Sequence, residues 1–497
     1  MDDHGFLFVA VVALALVFVY QRFGKNEPFI EGMAFPRALH VPFIGVAQQV
    51  ATLAGMERLY VDAIDADGLV SCRLMTVPCI AVTRADHVRQ VFCATSYRDR
   101  IPVIESHIER LIGRKALPIL MHDEWKVHRR LVSRAFHWQN LVKMVPAMTT
   151  VAETLASALL EKVDAVEVLS LLQLSALDTI GLLGFGCDLH ALRDGSNPLA
   201  NAFRFLLNET NRRCFQDALH PASHLMWLPT PANIRYRREA QIARSTIATL
   251  ISHRVATHRT GGAAHHDLLE AMLDAAADDG DVMAPDLLAD NVLTFFFAGA
   301  DSTSMGMAYA LYLLAAHPDV QAKTVAEIDA VLGREGEVTY DGLQKLPYTS
   351  AVLTEALRLY PPVATVYRNL VNDLPLGKYV IPGGTLVSLP LWFVNRSPLN
   401  WGPDANEFKP ERHLEALDND GMAAKDKAFR FMTFSGGPRN CVGMRFAVLE
   451  ATIVLVSVLR KCVLTRPKGA PSVYPNKVGI TLKPERGIWL HAVPRMA

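Results

Sequence analysis

A cysteine follows turn-forming residues near the carboxyl end of the chain, in the stretch Phe-Ser-Gly-Gly-Pro-Arg-Asn-Cys-Val-Gly at positions 434–443. Glycine permits backbone angles that other residues avoid, so Gly437 predicts a tight turn. Cys441 lies just before an apolar helical pattern, where backbone N–H groups and the helix dipole lower the pKa of a thiol. Arg439 is a natural partner for a cofactor carboxylate, and small residues such as Gly443 leave space for a flat cofactor.

Polar residues interrupt the longest apolar helical pattern at residues 298–303. Gly299 costs about 1 kcal/mol there relative to alanine, and a buried carboxylate or hydroxyl costs more if it has no partner. In the structural explanation, Ser302 bonds back to a carbonyl four residues earlier and Asp301 reaches outward to solvent. In the functional explanation, a groove at Gly299 admits water, and Asp301 and Ser302 relay protons.

Charged and aromatic pairs occur at helical spacing elsewhere. Glu355 and Arg358 are three residues apart, so their side chains meet on one helix face. Trp125 and Arg129 are four residues apart and could reach the same ligand oxygen. Guanidinium groups such as those of Arg129 and Arg368 bind planar carboxylates in a bidentate manner. Taken singly, these residues are equally typical of a core aromatic or a solvated helix face.

The cysteine stretch matches the pattern F-x-x-G-x-R-x-C-x-G, the haem-thiolate signature of the cytochrome P450 family, which this sequence resembles. The matching residues are Phe434, Gly437, Arg439, Cys441 and Gly443. This combination arises by chance in a chain of this length roughly once in ten thousand, which argues against an inert buried thiol. Three further elements resemble family motifs in the family order: A-G-x-D/E-T at 298–303, E-x-x-R at Glu355 and Arg358, and P-E-R-F at 410–413.

The sequence departs from the family pattern at two positions. Ser302 stands where the family usually has threonine, and Thr303 follows it, so the relay hydroxyl is assigned to either residue. Serine lacks the methyl group that restricts the threonine rotamer. His413 stands where phenylalanine is usual. This change leaves Glu355, Arg358 and Arg412 intact and affects only their packing.

The resemblance implies haem b, with Cys441 as the axial ligand of the iron and Phe434 covering the sulfur. It implies that the haem propionates are held by Trp125, Arg129, Arg368 and Arg439. It assigns proton delivery to Asp301, Ser302 and Thr303, and a structural network behind the haem to Glu355, Arg358 and Arg412. The expected reaction inserts one atom of O2 into a C–H bond of a lipophilic substrate, similar to a fatty acid or a sterol.

The fold that must position these residues is predicted to be mainly α with a small β region, the P450 fold, in one large domain. Apolar residues recur at helical spacing over nine segments: 86–94, 124–136, 141–161, 199–213, 234–258, 286–316, 320–332, 346–359 and 444–461. The expected strands are 69–75, 80–83, 379–381, 385–390 and 488–492. We read the polar stretch 261–285 as a surface loop or short helix, and a metal site at His265 and His266 as much less favoured.

The amino-terminal residues 6–20 form an unbroken apolar run, which predicts a membrane anchor within residues 1–25. Basic residues after the run, such as Arg22 and Lys25, favour a cytoplasmic main body. A proline-rich, non-helical connector is expected over 26–55 and the catalytic domain over 56–497. The anchor favours the endoplasmic reticulum membrane.

Composition excludes several classes of protein. The chain has 497 residues with 50 Lys+Arg and 50 Asp+Glu, so its formal net charge is zero, which argues against a nucleic-acid binder. Seven cysteines without a C-x-x-C pair fit neither a disulfide scaffold nor a zinc ribbon. Hydrophobic residues at 51% exclude a disordered chain.

No G-x-G-x-x-G fingerprint follows a strand, so electrons are expected from a partner: an NADPH-cytochrome P450 reductase-type flavoprotein, with cytochrome b5 as an optional second donor. By family analogy, a basic docking face includes Lys126, Arg129, Arg130, Arg134 and Arg445, although a merely soluble basic face is equally consistent.

The expected cavity lining is 101–120, 203–215, 295–298, 363–366 and 478–480. Two alternative functions stay open: a haem-thiolate isomerase or dehydratase acting on a lipid peroxide, and a non-catalytic membrane haem sensor.

Overall fold

The computed structural model describes residues 29–41, 45–74, 77–94, 102–195, 197–216, 225–260, 266–278, 284–414, 424–475 and 477–496. The predicted anchor, residues 1–25, lies outside these ranges. The described part is mainly helical with small sheets, as the sequence predicts.

The helices of ten or more residues, numbered in chain order, form most of the structure. They are α1 (Ala85–Ala94), α2 (Pro102–Ile112), α3 (His122–Ala135), α4 (Trp138–Leu160), α5 (Val168–Phe185), α6 (Pro198–Asn211), α7 (Pro231–Arg259), α8 (Leu268–Asp278), α9 (Pro285–Ala316), α10 (Pro318–Leu332), α11 (Pro347–Leu359) and α12 (Met444–Lys461). Shorter helical turns are Arg37–Leu39, Ala47–Val50, Leu53–Glu57, Arg58–Asp62, Ala191–Asp194, Arg212–Gln216, Tyr340–Leu343, Leu391–Val394, Pro398–Trp401, Pro410–His413 and Ala424–Lys427.

The strands form three small sheets. The strands are β1 (Leu69–Leu74), β2 (Val77–Val82), β3 (Val166–Glu167), β4 (Val366–Asn369), β5 (Leu374–Leu376), β6 (Tyr379–Ile381), β7 (Leu386–Leu389), β8 (Cys462–Thr465) and β9 (Trp489–Pro494). The largest sheet has the order β1-β2-β7-β4, in which only β2 and β7 are parallel. Arg368 on β4 lies opposite Val387 on β7, so this sheet places one predicted site residue beside the helical core.

Helix α9 is the centre of the fold. It begins at Pro285, which is favourable in the first turn, and ends before His317 and Pro318 because proline cannot continue a helix. Most of its side chains are buried, since it packs against α5, α7, α11 and α12. A helix that is apolar on all sides has to lie in the core. The polar residues 298–303 therefore lie at the middle of the molecule.

Helix α5 was not predicted, because it is apolar on nearly every face and lacks helical periodicity. Glu167 caps its amino end by accepting hydrogen bonds from Leu169 N and Ser170 N, and Gly186 ends it with a φ of 64°. Among the described residues, α5 is the one helix that is long and apolar enough to cross a membrane. Most of it is, however, buried inside the protein. It is therefore a core helix.

One other prediction for local structure needs correction. The short helices Ala47–Val50 and Leu53–Glu57 lie in or overlap the second half of the expected connector, which is therefore not wholly non-helical. The polar stretch 261–285 contains the short helix α8, one of the two alternatives expected there, although its leucines are buried. His265, named for the less favoured metal site, lies outside the described residues. Asp267, at the start of α8, is paired with Arg254 at 2.6 Å, so this carboxylate serves an ion pair between helices.

Glu450 on α12 is a buried carboxyl group that the sequence analysis did not single out. Its Oε1 atom has no hydrogen-bond partner among the described residues. Burial raises the pKa of Glu450 to about 8, opposed by a hydrogen bond with Thr179. Because an unfolded glutamate titrates near 4.3, the folded protein holds this proton more tightly. Stability from this group is complete below that pH and declines as the pH rises towards 8.

We therefore expect Glu450→Gln to stabilise the protein by about 3 kcal/mol at pH 7, because folding then no longer requires a proton to be taken up by a carboxylate that is ionised in the unfolded chain. The gain should shrink towards pH 4.5. Urea unfolding of both proteins between pH 4.5 and 8 measures the difference. Stability curves that run parallel across this range would contradict the assignment.

Candidate active site

One large cavity lies beside the middle of α9 and has a volume of about 1140 Å³. Its walls come from α2, α3, α5, α6, α9, β4, α12 and the segment 478–481. The lining is predominantly apolar. Each of the five segments expected to line a cavity contributes to it, for example through Leu117, Leu207, Phe295, Val366 and Ile480.

The cysteine stretch forms the expected tight turn at one side of the cavity. Ser435 and Gly437 adopt φ angles of 60° and 68°, in the left-handed region that favours glycine. The turn is closed by hydrogen bonds from Asn440 N to Gly437 O at 3.1 Å and from Cys441 N to Phe434 O at 2.9 Å. This geometry places Phe434, Cys441 and Gly443 on the cavity wall just before α12 begins.

Cys441 lines the cavity and is exposed within it. Burial raises the pKa of this thiol, although the Gly443 N–H and the Arg129 guanidinium oppose the shift. The expectation from the sequence that the helix terminus lowers the pKa of the Cys441 thiol is therefore wrong in net direction. The reason is that desolvation outweighs the favourable N–H group.

Arg439 and Trp125 lie together near the cysteine. The guanidinium carbon of Arg439 is 4.1 Å from the centre of the Trp125 ring, which is a cation–π contact. The same guanidinium donates from Nη1 to Leu120 O at 2.8 Å. Both residues line the cavity, so a cation is fixed beside the cysteine by an aromatic ring and a backbone carbonyl.

Two further arginines line the same cavity. Arg368 on β4 donates to Tyr367 O at 2.7 Å and to Ser435 Oγ at 3.2 Å. Arg129 donates to both Asn440 O and Asn440 Oδ1 at 2.7 Å. Both guanidiniums therefore bond to the cysteine turn, and their expected contacts with haem carboxylates stay a prediction. Arg129 also turns inward and so does not belong to the exposed basic face.

Glu355, Arg358 and Arg412 form one buried network. Glu355 accepts hydrogen bonds from Arg358 Nε at 2.7 Å and from Arg412 Nε at 2.8 Å. The ring nitrogen Nε2 of His413 lies 2.8 Å from Glu355 Oε2. The expectation that histidine at this position affects only packing is therefore wrong, because His413 adds a polar contact to the network. Burial alone would raise the pKa of Glu355, but the hydrogen bonds from Arg358 and His413 lower it to about 2.

Asn395 connects this network to the cysteine turn, and no sequence motif pointed to it. Arg358 Nη1 donates to Asn395 O at 2.8 Å. Asn395 accepts from Met432 N at 2.8 Å and donates to Thr433 Oγ1 at 2.9 Å. Thr433 immediately precedes Phe434, so Asn395 joins the network to the turn through its backbone carbonyl on one side and its side-chain amide on the other. An amide has both donor and acceptor atoms, which makes this link possible.

Asp301 is buried, contrary to the structural explanation that it reaches outward to solvent. Its carboxylate is 2.5 Å from Lys483 Nζ and accepts hydrogen bonds from Gln173 Nε2, at 3.0 Å, and Thr481 Oγ1. Sequence reasoning missed all three partners, which are more than a hundred residues away in the chain and belong to no motif. The carboxylate is thus fully partnered in the core.

The hydroxyl groups beside Asp301 also line the cavity. Ser302 Oγ donates to Ala298 O at 2.6 Å, the back-bond expected for serine inside a helix. Thr303 is buried and lines the cavity as well. Helix α9 stays continuous through Gly299, where an added Cβ would lie 3.5 Å from Ile180, an ordinary contact. Crowding alone therefore does not require glycine here.

This donor set fits a haem. One thiol faces an apolar cavity, and the arginines at 129, 368 and 439 line the same cavity close to the cysteine turn. A porphyrin needs an axial ligand, apolar walls for its ring and cations for its propionates. All three requirements are met by residues that touch one cavity. Cys441 would ligate the haem iron, and Trp125, Arg129, Arg368 and Arg439 would bind the haem carboxylates.

Comparison with known proteins agrees with this chemistry. A sequence model described as cytochrome P450 matches residues 36–491. Cytochrome P450 72A13 of Arabidopsis thaliana is 30% identical over 347 residues, 68% of this chain and 65% of that protein. Cytochrome P450 3A2 of Rattus norvegicus is 29% identical over 395 residues, 77% of this chain and 76% of the relative. Cytochrome P450 monooxygenase 91 of Postia placenta is 33% identical over 388 residues, which cover 68% of this chain and 71% of that protein.

The aligned region spans about 65% of the length of the Arabidopsis relative. The match to the family covers most of this chain and includes every motif described above. Members of the family are in general haem-thiolate monooxygenases. The chain belongs to the cytochrome P450 family.

Proposed function

We propose that the protein is a haem-thiolate monooxygenase that inserts one oxygen atom of O2 into a C–H bond of a lipophilic substrate. The observation that carries this proposal is that Cys441, the arginines beside it and the polar residues 301–303 line a single apolar cavity. Haem b, when bound through Cys441, supplies the O2 activation and C–H oxidation.

The residues of the chain would bind and orient the haem and the substrate. Arg368 and Arg439 present guanidiniums that suit the haem carboxylates. Phe434 lies in the turn that carries the sulfur, accepts a hydrogen bond from Cys441 N, and would limit the access of water to the sulfur. The apolar lining favours a lipophilic substrate such as a fatty acid or a sterol-like molecule, and the cavity of about 1140 Å³ would have to hold the haem as well as this substrate.

Asp301 is the group that we assign to proton delivery. It borders the large cavity and also a second, water-sized cavity of about 20 Å³. The second cavity is lined by Gln173 and by Arg204 and Asn208, whose side chains are exposed to solvent. The carboxylate therefore lies between solvent and the reaction cavity. Ser302 or Thr303 would carry the proton onward.

Asp301→Asn is expected to lower coupled turnover by about a hundredfold, because the amide cannot exchange protons as a carboxylate does. Ser302→Ala should raise the hydrogen peroxide released per NADPH consumed, because the relay loses a hydroxyl. Both quantities are measured with a reductase, NADPH and a substrate found by a spin-state screen.

Thr303→Val is the matched comparison, since it removes the neighbouring hydroxyl and keeps the side-chain shape. An increase in peroxide for Thr303→Val alone moves the relay to that residue. An unchanged ratio of peroxide to NADPH in all three variants would refute proton delivery by residues 301–303.

We further propose that electrons come from an NADPH-dependent flavoprotein reductase, with cytochrome b5 as an optional second donor. The exposed basic residues on and beside α3 and α12 support a docking face for an acidic partner: Lys126, Arg130, Arg134 and Arg445. The apolar run at residues 6–20 supports a single-pass anchor in the endoplasmic reticulum membrane.

The dependence of turnover on NADPH and the reductase separates this proposal from its alternatives. A haem-thiolate isomerase or dehydratase would convert a lipid peroxide without either of them. A haem sensor would bind a lipophilic ligand, shift the ferric spin state and yield no product. Hydroxylated product that requires NADPH, reductase and O2 is the expected result.

A further inference from the structure

The segment 113–120 crosses the amino-terminal half of α9 and contributes Leu117 to the cavity wall. Side chains of α9 hold its backbone. Lys115 N donates to Asp290 Oδ2 at 2.9 Å, and Leu117 N donates to Asn291 Oδ1 at 3.1 Å. The segment is therefore attached to the central helix by two adjacent side chains.

The fit between the segment and Asp290 leaves no free space. Gly113 has a φ of 95°, and a Cβ added there would lie 1.9 Å from the Asp290 carboxyl group, so another residue would displace the carboxylate. Arg244 Nη1 lies 3.5 Å from Asp290 Oδ1 and balances its charge. Asn291 is completely buried and donates to Leu287 O at 2.9 Å, which fixes its amide.

The same segment reaches the cysteine site at its other end. Leu120 N donates to Ala116 O at 3.1 Å, so the end of the segment is a closed turn. Leu120 O then accepts the hydrogen bond from Arg439 Nη1 at 2.8 Å. Arg439 precedes Cys441 by two residues. A continuous series of contacts therefore connects Asp290 and Asn291 to the arginine beside the cysteine.

We propose that Asp290 and Asn291 are positioning residues that fix the segment 113–120, and through Leu120 fix Arg439 at the haem site and Leu117 in the cavity wall. The effect on haem rests on the proposed function, whereas the attachment of the segment does not. Neither residue faces the reacting atoms in this arrangement, so each acts through the segment that it holds.

Limited proteolysis of the purified full-length protein tests the attachment without reference to activity. Arg114 lies in the segment, and its side chain is 87% exposed. Trypsin cleaves such a site only when the backbone opens locally. In Asp290→Ala and in Asn291→Ala, we expect cleavage after Arg114 to become about tenfold faster, because one backbone donor loses its partner.

Two control variants separate positioning from loss of charge. Asp290→Asn keeps an acceptor for Lys115 N and should restore slow cleavage. Asp286→Ala removes an exposed ion pair with Lys115 Nζ and a local hydrogen bond from Leu287 N, keeps both contacts to the backbone of the segment, and should leave cleavage within about twofold of the parent. Gly113→Ala, which displaces the carboxylate without deleting it, should cleave as fast as Asp290→Ala. Equal cleavage rates in all of these variants would overturn the proposal.

Transfer of haem to apomyoglobin tests the second step. We expect haem release from Asn291→Ala to be about fivefold faster than from the parent and from Asp286→Ala, because Arg439 loses a fixed partner. Unchanged release together with faster cleavage would overturn the connection through Leu120. A parent protein that binds no haem would refute the proposed function, and the proteolysis comparison would still decide the attachment.

Discussion

Glu355→Ala is expected to lower the free energy of unfolding by about 3–5 kcal/mol, because it leaves buried guanidinium groups without their counter-charge. Arg358 is fully buried and Arg412 nearly so, and both donate to this one carboxylate. A natural domain has a total stability of only about 5–15 kcal/mol. We therefore expect Glu355→Ala to reduce the yield of folded protein sharply.

Urea unfolding at pH 7, followed by circular dichroism, measures this loss. Asp123→Ala is the matched control, because Asp123 and Lys126 have the same three-residue spacing and are exposed. The control should leave the unfolding midpoint unchanged. A midpoint for Glu355→Ala equal to that of the control would contradict a structural role for the network.

Acid should weaken the same network. The pKa of Glu355 is lowered to about 2 in the folded protein, below the usual value near 4.3. The folded state therefore binds this proton less readily than the unfolded state. The stability supplied by Glu355 is complete above pH 4.3 and is lost as the pH falls towards 2.

The sequence predicted those features that depend on short spacings along the chain. The turn at Gly437, the position of Cys441 before α12 and the pairing of Glu355 with Arg358 each involve residues within about ten positions. Local backbone preferences and helix geometry decide such arrangements. Long amphipathic helices such as α4 and α10 were predicted for the same reason.

Contacts between distant segments could not be predicted in this way. Lys483 reaches Asp301 from almost two hundred residues away, and Asn395 bonds to Met432 across thirty-seven. Neither residue belongs to a local pattern, and a lone lysine or asparagine is usually a solvated residue. A buried aspartate does indicate that partners exist, because an unpaired buried charge is costly. A buried aspartate therefore predicts that its partners are hydrogen-bond donors or cations, but it does not predict where in the chain they lie.

Helix α5 and Arg129 show two other limits. Helix α5 has no polar face, so periodicity could not distinguish it from a buried strand or a membrane span. The bonds from Arg129 to Asn440 were not predicted, because they join a helix to a turn more than three hundred residues away. The expected contact of Arg129 with a haem carboxylate stays a prediction.

Cys441→Ala is expected to remove the thiolate ligand of the haem completely, because no other cysteine lies in the turn that Arg129 and Arg368 contact. The other cavity cysteine is Cys214, in the turn Arg212–Gln216. Burial raises the pKa of Cys214 to about 12, so it stays a neutral thiol at pH 7. Cys214→Ala removes a sulfur atom from the same cavity and should leave the spectrum unchanged.

The absorption spectrum of the reduced, carbon monoxide-bound protein tests the central claim most directly. We predict a red-shifted Soret band for the parent protein and for Cys214→Ala, and its complete absence from Cys441→Ala. A colourless parent protein that does not bind added hemin would contradict a haem site in this cavity. A Cys441→Ala protein that keeps the red-shifted band would contradict Cys441 as the ligand.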